Sequence, residues 1–226
     1  MNLGMIGAGH IGQALTRAAV RSGHRVMIAN SRGPQTLAGL ARELGCEAGT
    51  TQQAAAHGEV VALAIPFHAI GQLDPACFAG KIVLDANNYY PSRDGRIAEL
   101  DTLQATTSGL LQRHLGPAAR VVKFFNAIMQ HDIPADARPR GAADRRALPI
   151  AGDNPEAVRI AASLVDDFGF DPVDAGLMAE SWRFERAMPA YCIPFDVGGL
   201  RAALASAQRG VELPHGSWRT RPRKDG

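Results

Sequence analysis

The strongest constraint on the fold is the glycine spacing in Gly7-Ala8-Gly9-His10-Ile11-Gly12, set between two segments of opposite character. Before it, Leu3, Met5 and Ile6 form an apolar run of strand length. After it, Ile11, Leu15, Ala18 and Ala19 fall at helical spacing. A strand, a tight turn and a helix in that order give each glycine a task. Gly7 allows the turn, Gly9 lets backbone approach a pyrophosphate, and Gly12 brings the helix close to the strand. The helix N-terminus then offers N–H groups and partial positive charge to an anion. This is the dinucleotide-binding start of a Rossmann domain; a glycine-rich turn with no ligand is the plainer alternative.

The next strand speaks to cofactor choice. Val26-Met27-Ile28 follows the Gly23-His24 turn and leads to Asn30-Ser31-Arg32. Sites that prefer NAD usually place Asp or Glu there, on the ribose 2′-hydroxyl. Here no carboxylate occurs between that strand and Glu43. A carboxylate would repel a 2′-phosphate, whereas a hydroxyl and a guanidinium bind one. NADP(H) is therefore expected over NAD(H), with Asn30, Ser31 and Arg32 at the phosphate; a solvated Arg32 is the competing reading.

Further along, residues 34–44 read as one helix, 46–48 as a short strand and 51–57 as a helix capped by Thr50 or Thr51. The apolar run 60–65 reads as an interior parallel strand. Ile65, Pro66 and Phe67 leave its carboxyl end, where open parallel sheets bind ligands, and are candidate walls beside the nicotinamide. Residues 81–86 form the next strand and deliver Asn87, a candidate hydrogen-bond partner for nicotinamide or substrate. Tyr89 and Tyr90 then line a planar substrate or pack at the surface. Lys123 lies in a strand over 120–125, and such a lysine usually snorkels to water. Residues 130–146 read as a long loop; Arg138 and Arg140 meet an anionic substrate tail or stay solvated.

A strand at 147–151, a helix opening at Asp153-Asn154-Pro155, a strand at 171–175 and helices over 178–189 and 194–209 complete the chain. Strands alternating with helices give a Rossmann-type, doubly wound, mostly parallel α/β sheet of about eight strands. The expected division is an NADP-binding domain over 1–176 and a small C-terminal helical extension over 177–226. That extension ends in the basic tail Arg219-Thr220-Arg221-Pro222-Arg223-Lys224.

The 226 residues carry a formal net charge of +2, which makes no electrostatic case for nucleic acid. Cys46, Cys77 and Cys192 are scattered without a metal-ligand spacing, so reduced thiols and a cytoplasmic location are expected, with no metal. No signal peptide pattern is visible, and no run approaches the roughly 20 apolar residues of a membrane helix. Tyr89 and Tyr191 are each followed four residues later by Arg93 and Phe195, so no Tyr-x-x-x-Lys pair is present. His68 and His131 are weak pocket candidates, and no catalytic acid or base stands out.

Taken together, Gly7 to Gly12, Ala29-Asn30-Ser31-Arg32-Gly33-Pro34, Ala64-Ile65-Pro66, Asp85-Ala86-Asn87, Val122-Lys123-Phe124-Phe125-Asn126, Pro149-Ile150-Ala151-Gly152-Asp153 and Asp174-Ala175-Gly176 resemble the NADP-dependent reductases of the deazaflavin coenzyme F-420 and their bacterial relatives. The resemblance implies that Ala8, Gly9, His10 and Ile11 contact the pyrophosphate, and that Ser31 and Arg32 hold the 2′-phosphate. It sets Ile65, Pro66 and Phe67 by the nicotinamide ribose, and Asn126 and Ala127 beside the hydride-transfer pocket. Members carry tryptophan after the isoleucine-proline pair, where this chain has Phe67.

The expected activity is hydride transfer between NADPH and a flavin-like or other small organic acceptor. Reduction of a small carbonyl, imine or metal chelate is the rival enzyme reading, and a non-catalytic NADP(H) sensor the rival outside enzymes. The alanine-rich last helices, from Trp182 to Ala207, suggest a homodimer.

Overall fold

A computed structural model describes residues 1–214, 216 and 217; the basic tail from Arg219 lies outside them. The chain runs β1 (Asn2–Ile6), α1 (His10–Arg21), β2 (Arg25–Ala29), α2 (Ala38–Leu44), β3 (Glu47–Gly49), α3 (Thr51–His57) and β4 (Val60–Leu63). It continues through β5 (Ile82–Asp85), α4 (Pro91–Asp94), α5 (Ala98–Asp101), α6 (Thr107–Leu115), β6 (Arg120–Lys123) and α7 (Asp132–Asp136). β7 (Ala147–Gly152), α8 (Pro155–Asp167), β8 (Asp171–Asp174) and α9 (Val197–Ser206) follow.

The described residues form one eight-stranded sheet in the order β3-β2-β1-β4-β5-β6-β7-β8. Alternate residues of its strands face two cores. Leu3, Met5, Ile28, Ala62, Leu84 and Val122 pack with α1, α2 and α8. Ile6, Ala29, Leu63, Val83 and Val121 pack with α3 and α6 on the other face. Burial on both faces is why these strands read as unbroken apolar runs.

One join reverses direction. β7 pairs antiparallel with β6, through Val122 opposite Gly152 and Lys123 opposite Ala151, while β8 again lies parallel to β7. The connection from β6 to β7 starts and finishes at the same edge of the sheet. It therefore needs no long crossover helix, and the segment read as a loop contains only the short α7. The carboxyl ends of β7 and β8 consequently open on the opposite edge from those of β1, β4, β5 and β6.

Several elements differ from their sequence patterns for local reasons. The helix expected over 34–44 breaks into a 3-10 turn, Pro34–Thr36, and then α2. Thr36 Oγ1 donates to the Gly33 carbonyl at 2.8 Å and anchors that turn. The segment after Pro66 is a 3-10 helix, Phe67–Gln72. The helix expected over 178–189 is a 3-10 helix, Met178–Phe184, followed by turns in which Ala187 takes φ 66°. Here Phe184, Ala190 and Tyr191 are buried against β7 and β8 with Leu200 and Leu204 of α9, so packing overrides helical spacing. α9 starts late because the Asp196 side chain accepts from Gly199 N–H at 2.7 Å and fixes the N-cap. No helix among the described residues is long and apolar enough to cross a membrane.

Candidate active site

β1 and β4 are neighbours, yet the chain winds from β1 outward to β2 and from β4 outward to β5. That switch point leaves a crevice at the carboxyl edge. Gly7 turns the chain there at φ +113°, and a Cβ on it would lie 2.1 Å from the Ala64 carbonyl oxygen. Gly12 is packed as tightly, its Cβ position only 1.8 Å from the Gly7 oxygen. Gly9 differs, since a Cβ there would meet nothing within 4 Å. Gly9 is also the N-cap of α1, with no side chain capping the helix and no acid in its first turn. The exposed His10 and half-buried Ala8 and Ile11 flank this opening. An anion is the group that such a helix end accepts.

At the end of β2, the Asn30 side chain is occupied with the turn itself. Its Oδ1 accepts from Arg32 N–H at 2.9 Å and its Nδ2 donates to Thr36 Oγ1 at 3.0 Å. Ser31 and Arg32 are thereby presented to solvent. Among the described residues the Arg32 guanidinium has no carboxylate partner.

The ends of β4, β5 and β6 are tied by amides. Asn87 Oδ1 accepts from Ile65 N–H at 2.8 Å. Asn88 Nδ2 donates to the Asn126 carbonyl at 2.9 Å, and Asn126 Nδ2 donates to the Phe184 carbonyl at 2.9 Å. Two atoms are left over: Asn87 Nδ2, a donor, and Asn126 Oδ1, an acceptor, are buried without partners. Both asparagines are 3% exposed. Buried polar groups are normally satisfied, so a leftover pair at a sheet edge points to a ligand. Phe125 takes φ 49° just before Asn126, so the chain leaves β6 through a sparsely populated backbone conformation.

Ile65 and Pro66 reach the crevice, but the Phe67 ring is 1% exposed and packs edge-on against Tyr89, 6.3 Å between centroids. Ala127 is buried, its carbonyl accepting from Cys192 N–H at 3.2 Å. His68 Nδ1 lies 3.0 Å from Asp94 Oδ1 and so braces the loop after β5. Asp94 also accepts from Tyr90 N–H and from Arg93. Burial pushes its carboxyl up, but these donors outweigh it and hold the group at about 2. His131 pairs with Asp132. Arg138 and Arg140 pair with Asp144 and Asp166, so acids of this chain meet their charge.

Lys123 does not snorkel. It is fully buried, donating to the Asn87 carbonyl at 2.6 Å and Thr107 Oγ1 at 2.7 Å, with Asp85 Oδ2 at 3.4 Å. Ser108 Oγ donates to the same Asp85 oxygen, and Thr107 N–H and Oγ1 donate to Glu185. A sequence signal for this network existed, since Asp85 and Lys123 are opposite charges at the ends of two apolar strands, and the sheet sets them in register. Tyr191 carried no such signal. Its hydroxyl lies 2.6 Å from that of Tyr90, across 101 residues of chain. No cluster of three or more His, Cys, Asp or Glu able to hold a metal occurs among the described residues.

The switch-point crevice, the open Gly9 cradle, the free guanidinium at the end of β2 and the unpaired amides fit NADP(H), and they define a Rossmann-class dinucleotide-binding oxidoreductase. Residues 2–89 match the family described as NADP oxidoreductase coenzyme F420-dependent. The chain is 30% identical to the hypothetical protein SMa0349 of Sinorhizobium meliloti, with a TM-score of 0.71 over 86% of this chain and 93% of that one. Its residues 2–89 thus carry the N-terminal domain of the F420-dependent NADP oxidoreductase family.

A candidate F420-dependent NADP reductase of Arthrobacter sp. FB24 shares the fold at 22% identity and TM-score 0.65, over 80% of this chain and 86% of that one. The metalloreductase STEAP3 of Rattus norvegicus is 28% identical over 198 residues, 85% of this chain and 38% of the relative. The chain spans about half or less of the curated relatives it matches.

Proposed function

We propose that this protein is an NADPH-dependent oxidoreductase that passes hydride to a flavin-like acceptor of the deazaflavin F420 type. The observation that carries the reading is the pair of unsatisfied amide atoms, a donor on Asn87 and an acceptor on Asn126. A nicotinamide carboxamide offers the complementary acceptor and donor. The α1 N-terminus with Gly7 to Gly12 holds the pyrophosphate, and Ser31 with Arg32 holds the 2′-phosphate, on a turn that Asn30 fixes. Ile65 and Pro66 wall the nicotinamide ribose, and Phe67 supports them from the core. Asn126 and Ala127 border the acceptor's place. Bound NADPH supplies the hydride; the chain supplies alignment, which is most of what such a transfer needs.

A second reading, reduction of a metal chelate or a small carbonyl or imine, draws on the likeness to a metalloreductase. We further assign the protein to the cytoplasm, as a homodimer that buries part of residues 182–207; elution as a monomer in gel filtration at micromolar concentration would overturn the dimer. The deciding experiment is NADPH oxidation by purified protein with F420, a ferric chelate and a cyclic imine as acceptors. Turnover with F420 alone supports the first reading. Turnover with either other acceptor in its place moves the assignment to the second, and tight NADPH binding without any turnover indicates a sensor.

A further inference from the structure

A cavity of about 200 Å³ opens between the segment that joins β5 to α6 and the residues from Trp182 to Glu212. We propose that it is a binding site for a small planar aromatic acid, with a carboxylate at one end and an N–H or O–H donor at the other. The site is separate from the nucleotide's, since none of the residues assigned to NADPH lines it.

The walls set the shape of the ligand. Tyr89, Leu100, Leu103, Trp182 and Met188 form an apolar, largely aromatic waist. The volume suits a single ring or a small fused pair, below the roughly 300–1,000 Å³ of drug-sized sites. Leu100, Thr107 and Met188 are buried and close the inner end, whereas Pro91, Arg209 and Gly210 are exposed and mark the mouth. Both walls are strained. Leu103 takes φ 60°, and Ala187, between the lining residues Arg186 and Met188, takes φ 66°. Non-glycine residues in this region persist where their surroundings over-determine them, and they gather at ligand clamps. Here Arg209 Nη2 donates to the Leu103 carbonyl at 2.7 Å and holds that exposed leucine at the rim.

Charge distinguishes the two ends. Asp101 accepts from the Tyr89 hydroxyl and pairs with Arg96, and Glu212 pairs with Arg186 at 3.3 Å. The Arg209 guanidinium has no carboxylate partner among the described residues. It lies 5.8 Å from the centroid of the Trp182 ring, so the mouth offers a cation beside an aromatic face. A carboxylate is the group that guanidinium donors hold best. At the inner end, Glu185 Oε1 accepts from Thr107 N–H at 2.9 Å and Oγ1 at 2.6 Å. Its Oε2 has no hydrogen-bond partner among the described residues, which leaves an ionised acceptor for a ligand N–H or O–H. Thr107 Oγ1 also accepts from Lys123, which holds the Asn87 carbonyl. A ligand on Glu185 therefore draws on the same carboxylate as Thr107, and its occupancy reaches the nucleotide edge through Thr107 and Lys123.

Ligand-observed NMR on the whole protein with para-aminobenzoate tests the site. A Kd below about 1 mM is expected, with benzoate and aniline each about tenfold weaker because each lacks one end. Arg209→Gln should weaken para-aminobenzoate about tenfold and leave aniline unchanged. Glu185→Gln keeps an oxygen for Thr107 and sets an N–H where the free carboxylate oxygen was. It should weaken para-aminobenzoate about tenfold and leave benzoate unchanged. No binding at about 10 mM, equal binding of the three compounds, or unchanged affinity in either variant overturns the proposal. Saturating para-aminobenzoate should change the Kd for NADPH about fivefold, NADPH should change that of the ligand by the same factor, and both effects should vanish in Glu185→Gln. Equal NADPH affinity with and without the ligand overturns the link between the sites. If NADPH does not bind, the nucleotide reading above fails and the link falls with it, while the three aromatic compounds and the two variants still decide the cavity.

Discussion

Lys123 Nζ and Asp85 Oδ2 face each other 3.4 Å apart across the β5–β6 ladder, both side chains sealed from solvent. The pair stands directly beneath the site, because Lys123 also holds the Asn87 carbonyl and Asp85 accepts from Asn87 N–H at 3.0 Å. Replacing Lys123 by Met leaves a buried carboxylate without its cation, an imbalance that costs about 3–5 kcal/mol. Urea unfolding should report that loss, and adding Asp85→Leu should recover part of it. An unchanged midpoint in Lys123→Met would show that the pair does not hold the edge together.

Arg32 is offered to a 2′-phosphate with no competing carboxylate. Arg32→Ala should weaken NADPH binding by about 1.5–3 kcal/mol, roughly 10- to 100-fold, and leave NADH nearly untouched. Fluorescence titration with both nucleotides measures it. Equal losses for the two would remove the 2′-phosphate from this position.

Gly9 and Gly12 should respond differently to the same methyl. At Gly12 an added Cβ meets backbone at 1.8 Å, whereas at Gly9 it enters open space, on a backbone at φ −77° that alanine adopts freely. Gly9→Ala should therefore keep wild-type stability within about 0.5 kcal/mol while losing NADPH affinity at least about tenfold, the methyl occupying the anion's place. Gly12→Ala should melt early with or without nucleotide. A Gly9→Ala protein that binds normally would show that the pyrophosphate lies elsewhere.

Asp94 gives an acid-side prediction. Its carboxyl is depressed to about 2 in the fold, so it binds a proton less readily there than in the unfolded chain, where about 3.9 is normal. The stabilisation is complete above about pH 4 and disappears as pH falls through 2. It is worth about 1–2 kcal/mol. Melting temperatures of wild type and Asp94→Asn should differ at pH 6 and converge near pH 2. A difference independent of pH would mean that the carboxylate charge is not what braces the loop.

The nucleotide half was legible because its rules are local. Gly7, Gly9 and Gly12 have fixed roles, and strands buried on both faces announce themselves as apolar runs. Thr50 closes a capping box with Gln53, and Asn154 caps α8 through Ala157 N–H. What stayed hidden depends on distant partners. The direction of β7 is set by its register with β6, which no residue in 147–152 encodes by itself. Lys123 followed the rule for isolated strand lysines until Asp85, Thr107 and the Asn87 carbonyl were brought around it. Phe67 carries the same pattern whether its ring lines a crevice or meets Tyr89, and the 178–193 segment gave up helical geometry to fill the core over β7 and β8.

The reversed join between β6 and β7 also divides tolerance to change. Because the turns after β7 and β8 open away from the nucleotide edge, a segment inserted at Gly176-Leu177, where Leu177 is 61% exposed, grows outward from the far rim. The same insertion after β4, β5 or β6 would fall among the crevice residues. In this chain, then, added length is accommodated on one rim of the sheet while the residues of the other keep their places.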